Sequence, residues 1–179
     1  QELIRRVAQM ETTVVIWGES GSGRTDFCRV LHQAGGRRQG PFQLIDCAVI
    51  PEKLLEAEIF GRPAGLSPRT KGPDIGQLEK ADGGIICFKN MTSLPLALQS
   101  KLVHFLDEGG ASSGNFGSNR ASARIVVIEG SSLESAVTMG RLLPDLYDRI
   151  NIVTIEIPPL RDHIEDIPPL IEYYLEQFN

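Results

Sequence analysis

The sequence predicts a three-layer α/β sandwich with a mainly parallel, five-stranded sheet, and three observations support this fold class. Apolar, β-branched segments alternate with helix-like segments along the whole chain. Two apolar segments, 84–88 and 123–128, lack the period-two alternation of a half-exposed strand, so helices are expected to cover both faces. A glycine-rich loop follows the segment 13–17 and leads straight into a helix-like segment.

Each element follows from its local residue pattern. Leu3, Ile4 and Val7 recur at helical spacing, which predicts an amphipathic first helix. Pro51 stands at the start of a helix, a position that proline favours. The predicted strands are 13–17, 42–46, 84–88, 123–128 and 152–157. The predicted helices are 1–11, 24–34, 51–59, 75–81, 94–108, 132–139, 144–149 and 163–178.

Three segments read as connections. Residues 35–41 form a glycine-rich turn cluster, and 61–74 combine glycines and prolines without periodicity, as loops do. Residues 109–118 are mostly Gly and Ser, a composition typical of a flexible linker.

Composition excludes several functional classes. The net charge of −5 argues against nucleic-acid binding by this segment, which normally needs a basic surface. No apolar stretch reaches the roughly 18 residues of a membrane span. Cys28, Cys47 and Cys87 lack metal-ligand spacing and are expected to be buried, reduced thiols, which predicts a reducing cytoplasm. Both ends of the chain fall within helical patterns, which predicts a fragment of a longer protein.

The glycine-rich loop is the candidate ligand site, because it has the strand–loop–helix context of a phosphate-binding loop. Backbone N–H groups at a helix N-terminus cradle phosphate oxygens, and glycines permit the close approach. Its residues are the predicted nucleotide ligands: Gly18, Glu19, Ser20, Gly21, Ser22, Gly23, Arg24 and Thr25. The lysine expected at the seventh position is replaced by Arg24, which is longer, planar and forked.

Several motifs in order resemble the sigma-54 interaction domain of bacterial enhancer-binding transcriptional regulators, an AAA+ ATPase. The loop is similar to the family's GESGTG. The other similar segments are 46–51 (NCAAIP in the family), 54–61 (LLESELFG), 77–84 (FEQADGG), 94–102 (LPLELQAKLL), 145–149 (DLYYR) and 158–168 (PPLRER and EDIP).

The resemblance implies an AAA+ P-loop core over 1–162 and the first helix of a truncated helical lid over 163–179. It implies a cytoplasmic bacterial protein that forms a homo-oligomer, a dimer or hexamer, without contact to a membrane. It also implies that DNA is bound by a separate helix-turn-helix domain, that RNA polymerase is engaged indirectly, and that a regulatory domain precedes this one.

Departures from the family motifs predict a pseudo-ATPase. The family has Asp-Glu after the third strand, one carboxylate for Mg²⁺ and one for the attacking water, where this chain has Lys89 and Asn90. The formal charge there changes from −2 to +1. A single positive charge about 4 Å from a bound divalent cation repels that cation by at most roughly 8 kcal/mol, at an effective dielectric constant of about 20. Asn90 cannot accept a proton from water. No catalytic residue and no metal site are therefore assigned.

Other family positions are altered too. The sensor pair Thr-Asn aligns with Glu129 and Gly130, and one of two arginines that act on a neighbouring subunit aligns with Leu143. Arg149 keeps the second arginine, although a surface or packing salt bridge is an equal interpretation. The sigma-contacting GAFTGA loop aligns with Gly65–Thr70, where only the first glycine survives. Remodelling of a sigma-54 holoenzyme is therefore not expected.

Several states of the altered site remain open. ATP or ADP could bind weakly and without Mg²⁺, or an internal Arg24–Glu129–Lys89 ion-pair cluster could occupy the phosphate position. The leading hypothesis is a silent scaffold for oligomerisation and signal relay. One alternative is a cyclic-dinucleotide or nucleotide sensor that uses Arg29, Arg37 and Arg38, which otherwise form a solvated helix face. The other is a residual ATPase with relocated carboxylates from Glu19, Asp26 or Glu129.

Overall fold

The computed structural model describes residues 2–62, 74–107 and 122–178. The strands are β1 (Val14–Gly18), β2 (Phe42–Asp46), β3 (Gly61–Arg62), β4 (Asp74–Ile75), β5 (Ile85–Lys89), β6 (Arg124–Glu129) and β7 (Val153–Ile157). The helices are α1 (Glu2–Ala8), α2 (Arg24–Ala34), α3 (Glu52–Phe60), α4 (Gln77–Lys80), α5 (Leu96–Asp107), α6 (Leu133–Thr138), α7 (Pro144–Ile150) and α8 (Ile167–Phe178).

The central sheet has five strands in the order β2-β5-β6-β1-β7, and every pairing in it is parallel. This arrangement confirms the predicted α/β sandwich with a parallel sheet. Strand β6 lies between β1 and β5, which places the ends of these three strands side by side. The carboxyl ends of parallel strands share one edge, and the phosphate loop leaves β1 at that edge.

Two apolar cores cover the two faces of the sheet, as the continuous apolar strands predict. Ile86 and Phe88 of β5 join the larger cluster, together with residues of α3, α5 and α7. Ile85 and Cys87 of the same strand point the other way, into a cluster with α1 and α2. Successive side chains of a strand face opposite sides, so a strand buried on both sides shows no polar alternation.

The first helix is shorter than predicted. It ends at Ala8, whereas the pattern indicated residue 11. The buried guanidinium of Arg124 on β6 donates hydrogen bonds to the carbonyls of Val7 (2.8 Å), Ala8 (3.2 Å) and Thr12 (3.1 Å). Arg124 thereby satisfies carbonyls that a helix end leaves without intrahelical partners, and it fixes the turn into β1.

The last helix begins later than predicted. Two 3-10 turns, Leu160–Asp162 and Ile164–Asp166, precede α8, which starts at Ile167. Pro168 and Pro169 fall in its first turn, where a missing N–H costs no intrahelical hydrogen bond. The prolines therefore mark the true start of the helix.

The loop predicted over 61–74 contains short strands at its ends. Gly61 and Arg62 pair antiparallel with Ile75 and Asp74, a ladder too short to show alternation in the sequence. Gly65–Thr70 and the Gly/Ser segment 109–118 lie outside the described residues. None of the helices in the described ranges is long and apolar enough to cross a membrane.

The three cysteines are buried free thiols, as predicted. Burial raises the pKa of Cys47 to about 12, and the nearby carboxylates of Glu129 and Asp46 add to the shift. A thiol with this pKa is protonated at neutral pH and is a weak nucleophile.

Candidate functional site

The phosphate loop connects β1 to α2 in a conformation that needs its glycines. Gly21 and Gly23 have φ of 88° and 80°, and Gly23 is the N-cap of α2. Non-glycine residues adopt this left-handed region only at a cost. A Cβ on Gly18 would lie 2.4 Å from the carbonyl oxygen of Ile157 on β7, so the strand edge also excludes a side chain there. Each glycine of the motif therefore occupies a position where a side chain would be strained or would clash.

Two polar groups of the loop already show how it is organised. The Ser22 amide donates to the Glu19 carbonyl (3.2 Å), which closes a turn inside the loop. The Ser22 hydroxyl oxygen is buried and has no hydrogen-bond partner among the described residues. A buried polar atom without a partner costs free energy unless water or a ligand supplies one.

Arg24, at the lysine position of the motif, is directed toward the end of β6. Its Nη1 donates to the main-chain carbonyl of Glu129. The Arg24 guanidinium therefore lies at the carboxyl edge of the sheet. Because its partner is a neutral carbonyl oxygen, this contact does not neutralise its positive charge. An anion in the loop would find this cation already positioned beside strand β6.

Lys89 and Asn90, at the two positions where the family has carboxylates, both bind Asp46. Lys89 Nζ lies 2.7 Å from Asp46 Oδ2, and Asn90 Nδ2 lies 2.7 Å from Oδ1. The Ala48 amide adds a third contact to Oδ1 at 3.2 Å. Partial burial raises the pKa of Asp46, but the hydrogen bonds from Lys89, Asn90 and Ala48 outweigh it and hold the pKa below its usual value.

The backbone at Asn90 explains why this residue type fits there. Asn90 has φ of 55° and ψ of 46°, the left-handed conformation, and it is the one non-glycine residue with positive φ within the described ranges. Asparagine tolerates this conformation better than most residues because its short amide can hydrogen-bond locally. Asparagine therefore suits the left-handed position at the start of the 3-10 turn after β5, while its side chain binds Asp46.

Glu129 at the end of β6 is buried, with 4% of its surface exposed. Its carboxylate accepts hydrogen bonds from the Thr92 amide (2.9 Å) and the Thr92 hydroxyl (3.2 Å). Burial raises the pKa of Glu129, and the hydrogen bonds from Thr92 offset only part of this shift. Thr92 lies in the 3-10 turn Met91–Ser93 that follows β5, so Glu129 fixes that turn.

The predicted Arg24–Glu129–Lys89 ion-pair cluster is wrong. In the described residues the Glu129 carboxylate forms no ion pair with either cation, because Lys89 binds Asp46 and Arg24 binds a main-chain oxygen. The register provides the reason: Lys89 is directly opposite Asp46 on β2 and opposite Ile128 on β6, which leaves Glu129 one residue beyond it. Asp46 is a partner that charge alone does not predict, although an acidic residue at the asparagine position of NCAAIP is a signal in the sequence.

A second unpredicted contact reaches the loop from the far end of the chain. Arg161 donates to both carboxylate oxygens of Glu19, at 2.6 Å each. Arg161 belongs to the segment that resembles PPLRER, but its partner Glu19 lies 142 residues away in the sequence. Glu19 is the sole carboxylate of the Gly18–Thr25 loop, and this pair neutralises it.

Arg149 forms a salt bridge within the chain, which is one of its two predicted roles. Its Nε and Nη2 bind Asp107 at 2.6 Å and 2.8 Å, and Nη1 donates to the Asp145 carbonyl at 2.7 Å. Hydrogen bonding to Asp107 raises the pKa of Arg149 further above its ordinary value. Leu143 donates its amide to the buried side chain of Gln99 (2.9 Å).

Two of the arginines of the predicted sensor also have intramolecular partners. The Arg29 guanidinium lies 5.7 Å from the centre of the Phe42 ring. Arg37 binds Glu11 (2.7 Å) and the carbonyls of Gly84 and Ser122. Both arginines thus contribute to the attachment of α2 and its following turn.

Comparison with known proteins agrees with this geometry. The sigma-54 interaction domain model matches residues 1–156. The DNA-binding transcriptional regulator NtrC of Rhizobium meliloti (strain 1021) is 36% identical over 181 residues, which cover 99% of this chain and 37% of NtrC. The Nif-specific regulatory protein of Herbaspirillum seropedicae is 38% identical over 176 residues, covering 98% of this chain and 32% of that protein. The chain thus spans about a third of the length of these relatives.

Solved structures have the same fold. NtrX from Brucella abortus superimposes with a TM-score of 0.86 at 29% identity, covering 99% of this chain and 39% of NtrX. Its complex with ATP gives a TM-score of 0.84 at 28% identity, covering 99% of this chain and 40% of NtrX. The P-loop NTPase domain of a sigma-54 transport activator from E. coli, at 20% identity and a TM-score of 0.61, covers 89% of this chain and 92% of that domain and supports the fold alone. The chain belongs to the sigma-54 interaction domain family.

Proposed function

We propose that this domain is a pseudo-ATPase of a bacterial transcriptional regulator, which binds ATP or ADP weakly without Mg²⁺ and does not hydrolyse it. One observation carries the proposal: Lys89 and Asn90, at the positions of the two family carboxylates, are both hydrogen-bonded to Asp46 at 2.7 Å. The groups that would hold the metal and activate water are replaced by an ammonium and an amide, and both bind a carboxylate of the same chain.

The relocated carboxylate is a poor substitute for the missing pair. Asp46 Oδ2 accepts from an ammonium and Oδ1 from an amide, so a divalent cation must displace Lys89 to reach it. Displacement would leave Lys89 near the metal and opposed by it. Glu129 uses its carboxylate to bind Thr92 and is stabilised in the protonated form by burial. Neither carboxylate is free to act as a general base for water.

Retention of a ligand is supported by the loop itself. The glycine conformations are those of a loop that presents backbone amides at the N-terminus of α2, and Thr25 follows in the first turn. Arg24 supplies positive charge at the same edge of the sheet because it contacts a main-chain carbonyl, whereas Asp46 balances the charge of Lys89. The related NtrX from Brucella abortus has been solved in complex with ATP and with ADP. We infer that nucleotide affinity here is lowered, because metal-mediated contacts to the phosphates are missing.

The role that remains is assembly and signal relay. We propose a homo-oligomer, a dimer or hexamer, in a cytoplasmic protein with a separate helix-turn-helix domain for DNA and an indirect effect on RNA polymerase. Arg149 is bound to Asp107 of its own chain, so it must leave this pair before it could reach a neighbouring subunit's nucleotide. Residues 163–179, including α8, are proposed to begin a helical lid.

Titration calorimetry and a phosphate-release assay test the proposal together. ATP and ADP should bind the domain equally well with Mg²⁺ and with EDTA, and phosphate release should stay at background. Cyclic di-GMP should give no heat; specific binding of it would favour the sensor alternative. Sustained phosphate release that disappears in Arg24→Ala would overturn the pseudo-ATPase assignment.

A restored variant provides the matched positive control. R24K, D46N, K89D and N90E together reinstate the family residues at these positions. The combined variant is expected to bind ATP more tightly with Mg²⁺ than with EDTA, whereas the parent protein shows no such difference. Variants K89A and D46A each break the Lys89–Asp46 pair without adding a carboxylate. Their ATP affinities therefore show how much of any change in the combined variant comes from loss of the pair alone.

A further inference from the structure

The Glu19–Arg161 pair joins the phosphate loop to the segment that follows the sheet. Arg161 Nη1 and Nη2 each lie 2.6 Å from a different carboxylate oxygen of Glu19. The two side chains are 57% (Glu19) and 65% (Arg161) exposed. An exposed bidentate pair has a defined geometry but a small intrinsic strength, so salt or a nearby charge can change its population.

Segment 158–178 has few other polar attachments to the core. Its chain leaves β7 at Ile157, which pairs in register with Gly18 of the loop. The main-chain bonds from Asp162 and His163, to Pro159 and Leu160, are local. Among the side chains of this segment that the structure describes, Arg161 makes the hydrogen bonds to the rest of the protein, both of them to Glu19.

Apolar packing also holds this segment only lightly. The large apolar side chains with substantial exposure include Leu160 (41%), Ile164 (67%), Ile171 (53%) and Leu175 (58%). Burial of such side chains would be the main source of a stable attachment. Among the described side chains, the Glu19–Arg161 ion pair is therefore a main attachment of this segment.

We propose that Arg161 is a positioning residue that acts through Glu19, and that this pair couples occupancy of the phosphate loop to the attachment of residues 160–178. The inference rests on the proposed nucleotide binding. A polyphosphate in the loop would add negative charge close to Glu19, which belongs to the same loop, and Arg161 neutralises the Glu19 carboxylate. Bound polyphosphate in turn repels an unpaired Glu19 carboxylate, and it therefore favours the state in which Glu19 is paired with Arg161. Because binding free energies are reciprocal, each event favours the other.

A double-mutant cycle measures the coupling in the nucleotide affinity. Arg161→Gln should weaken ATP binding roughly twofold to fivefold, in line with exposed ion pairs. Glu19→Gln removes the carboxylate that Arg161 neutralises, so Glu19→Gln/Arg161→Gln should bind ATP with the same affinity as Glu19→Gln alone. Arg6→Gln, an exposed arginine of α1, is the charge-matched control and should leave the affinity unchanged. Equal affinity in the parent domain and Arg161→Gln would overturn the coupling.

Hydrogen exchange of the backbone amides of 160–170 measures how firmly the Glu19–Arg161 pair attaches this segment to the core. Without nucleotide, Glu19→Gln and Arg161→Gln should each exchange faster there than the parent domain, and Arg6→Gln should not. Saturating ATP should slow exchange in the parent domain and leave the Glu19→Gln variant unaffected. ATP binding with unchanged exchange at 160–170 would refute the inference and leave the proposed function intact. Absence of ATP and ADP binding in every protein would instead overturn the proposed function, and the coupling with it.

Discussion

Lys89 and Asp46 lie directly opposite each other at the carboxyl ends of adjacent parallel strands, and their side chains form an ion pair of 2.7 Å. The family has a metal-binding carboxylate at position 89 and an asparagine at position 46. The two changes thus complement each other: a positive charge appears on β5 and a negative charge on β2. This pairing explains how the protein places an ammonium at this edge of the sheet without leaving an uncompensated charge.

The Asp46 pair predicts a specific pH dependence of stability. Asp46→Asn removes the charge but retains an oxygen for Asn90. We expect a loss of about 1 kcal/mol of unfolding free energy at pH 7, a low figure because Lys89 is about one-third exposed. Because the pKa of Asp46 is lowered in the folded state, this contribution is full above the unfolded value of 3.8 and disappears as pH falls below it.

Urea unfolding of both proteins from pH 2.5 to pH 7 checks this. Glu56→Gln, which removes the exposed pair with Lys101 (2.8 Å), is the control and should change stability by less than roughly 0.5 kcal/mol. A difference between parent and Asp46→Asn that persists unchanged at pH 2.5 would contradict the assignment.

Arg124 predicts the largest stability effect outside the site. Arg124→Met should lower the unfolding free energy by about 2–4 kcal/mol, because it leaves the carbonyls of Val7, Ala8 and Thr12 without their donor in a buried position. Arg124→Lys keeps the charge but cannot reach three carbonyls in a fork, so an intermediate loss is expected. Arg6→Lys on the exposed face of α1 should be neutral. Chemical denaturation, with limited proteolysis of the first ten residues, separates detachment of α1 from global unfolding.

The sheet and the phosphate loop could be predicted because their signals are local. Runs such as 84–88 are apolar at every position, and the glycines of 18–23 occur at the spacing that the turn requires. The partners of the charged groups could not be predicted in the same way. Lys89 selects Asp46 through the β2–β5 register, and Arg161 reaches Glu19 across 142 residues. Charge alone suggests Glu129 as the partner of Lys89. The buried Glu129 carboxylate instead accepts hydrogen bonds from Thr92.

Gly23 predicts a joint effect on stability and binding. Gly23→Ala places a side chain at φ of 80°, which should cost about 1–2 kcal/mol even though the added Cβ meets no atom within 4 Å. The change also moves the amides at the N-terminus of α2, so ATP affinity should fall by more than the stability loss alone explains. Gly36→Ala, where the backbone has no positive φ and the space is equally open, is the matched control and should be tolerated. Thermal unfolding and calorimetry on both variants decide the point; equal behaviour of the two would show that the loop conformation is not needed.

Glu129 predicts a pH dependence of the opposite sign. Its pKa is raised in the folded state by burial, so the folded protein binds a proton more tightly than the unfolded chain does. Stability is therefore expected to decline as pH rises from the unfolded value of 4.5 through the higher folded value. Glu129→Gln removes this titration while its amide oxygen can still accept from the Thr92 N–H.

The glutamine variant should therefore match the parent below pH 4 and be the more stable protein at pH 7. Glu129→Ala leaves the Thr92 amide without its acceptor and should be about 1–3 kcal/mol less stable than Glu129→Gln at every pH. The difference between the glutamine and alanine variants isolates the hydrogen bond from the charge. Unfolding free energies measured from pH 3.5 to pH 8 give all three curves. A parent protein that gains stability relative to Glu129→Gln as pH rises would mean that the carboxylate is paired with a cation in solution, as the sequence had suggested.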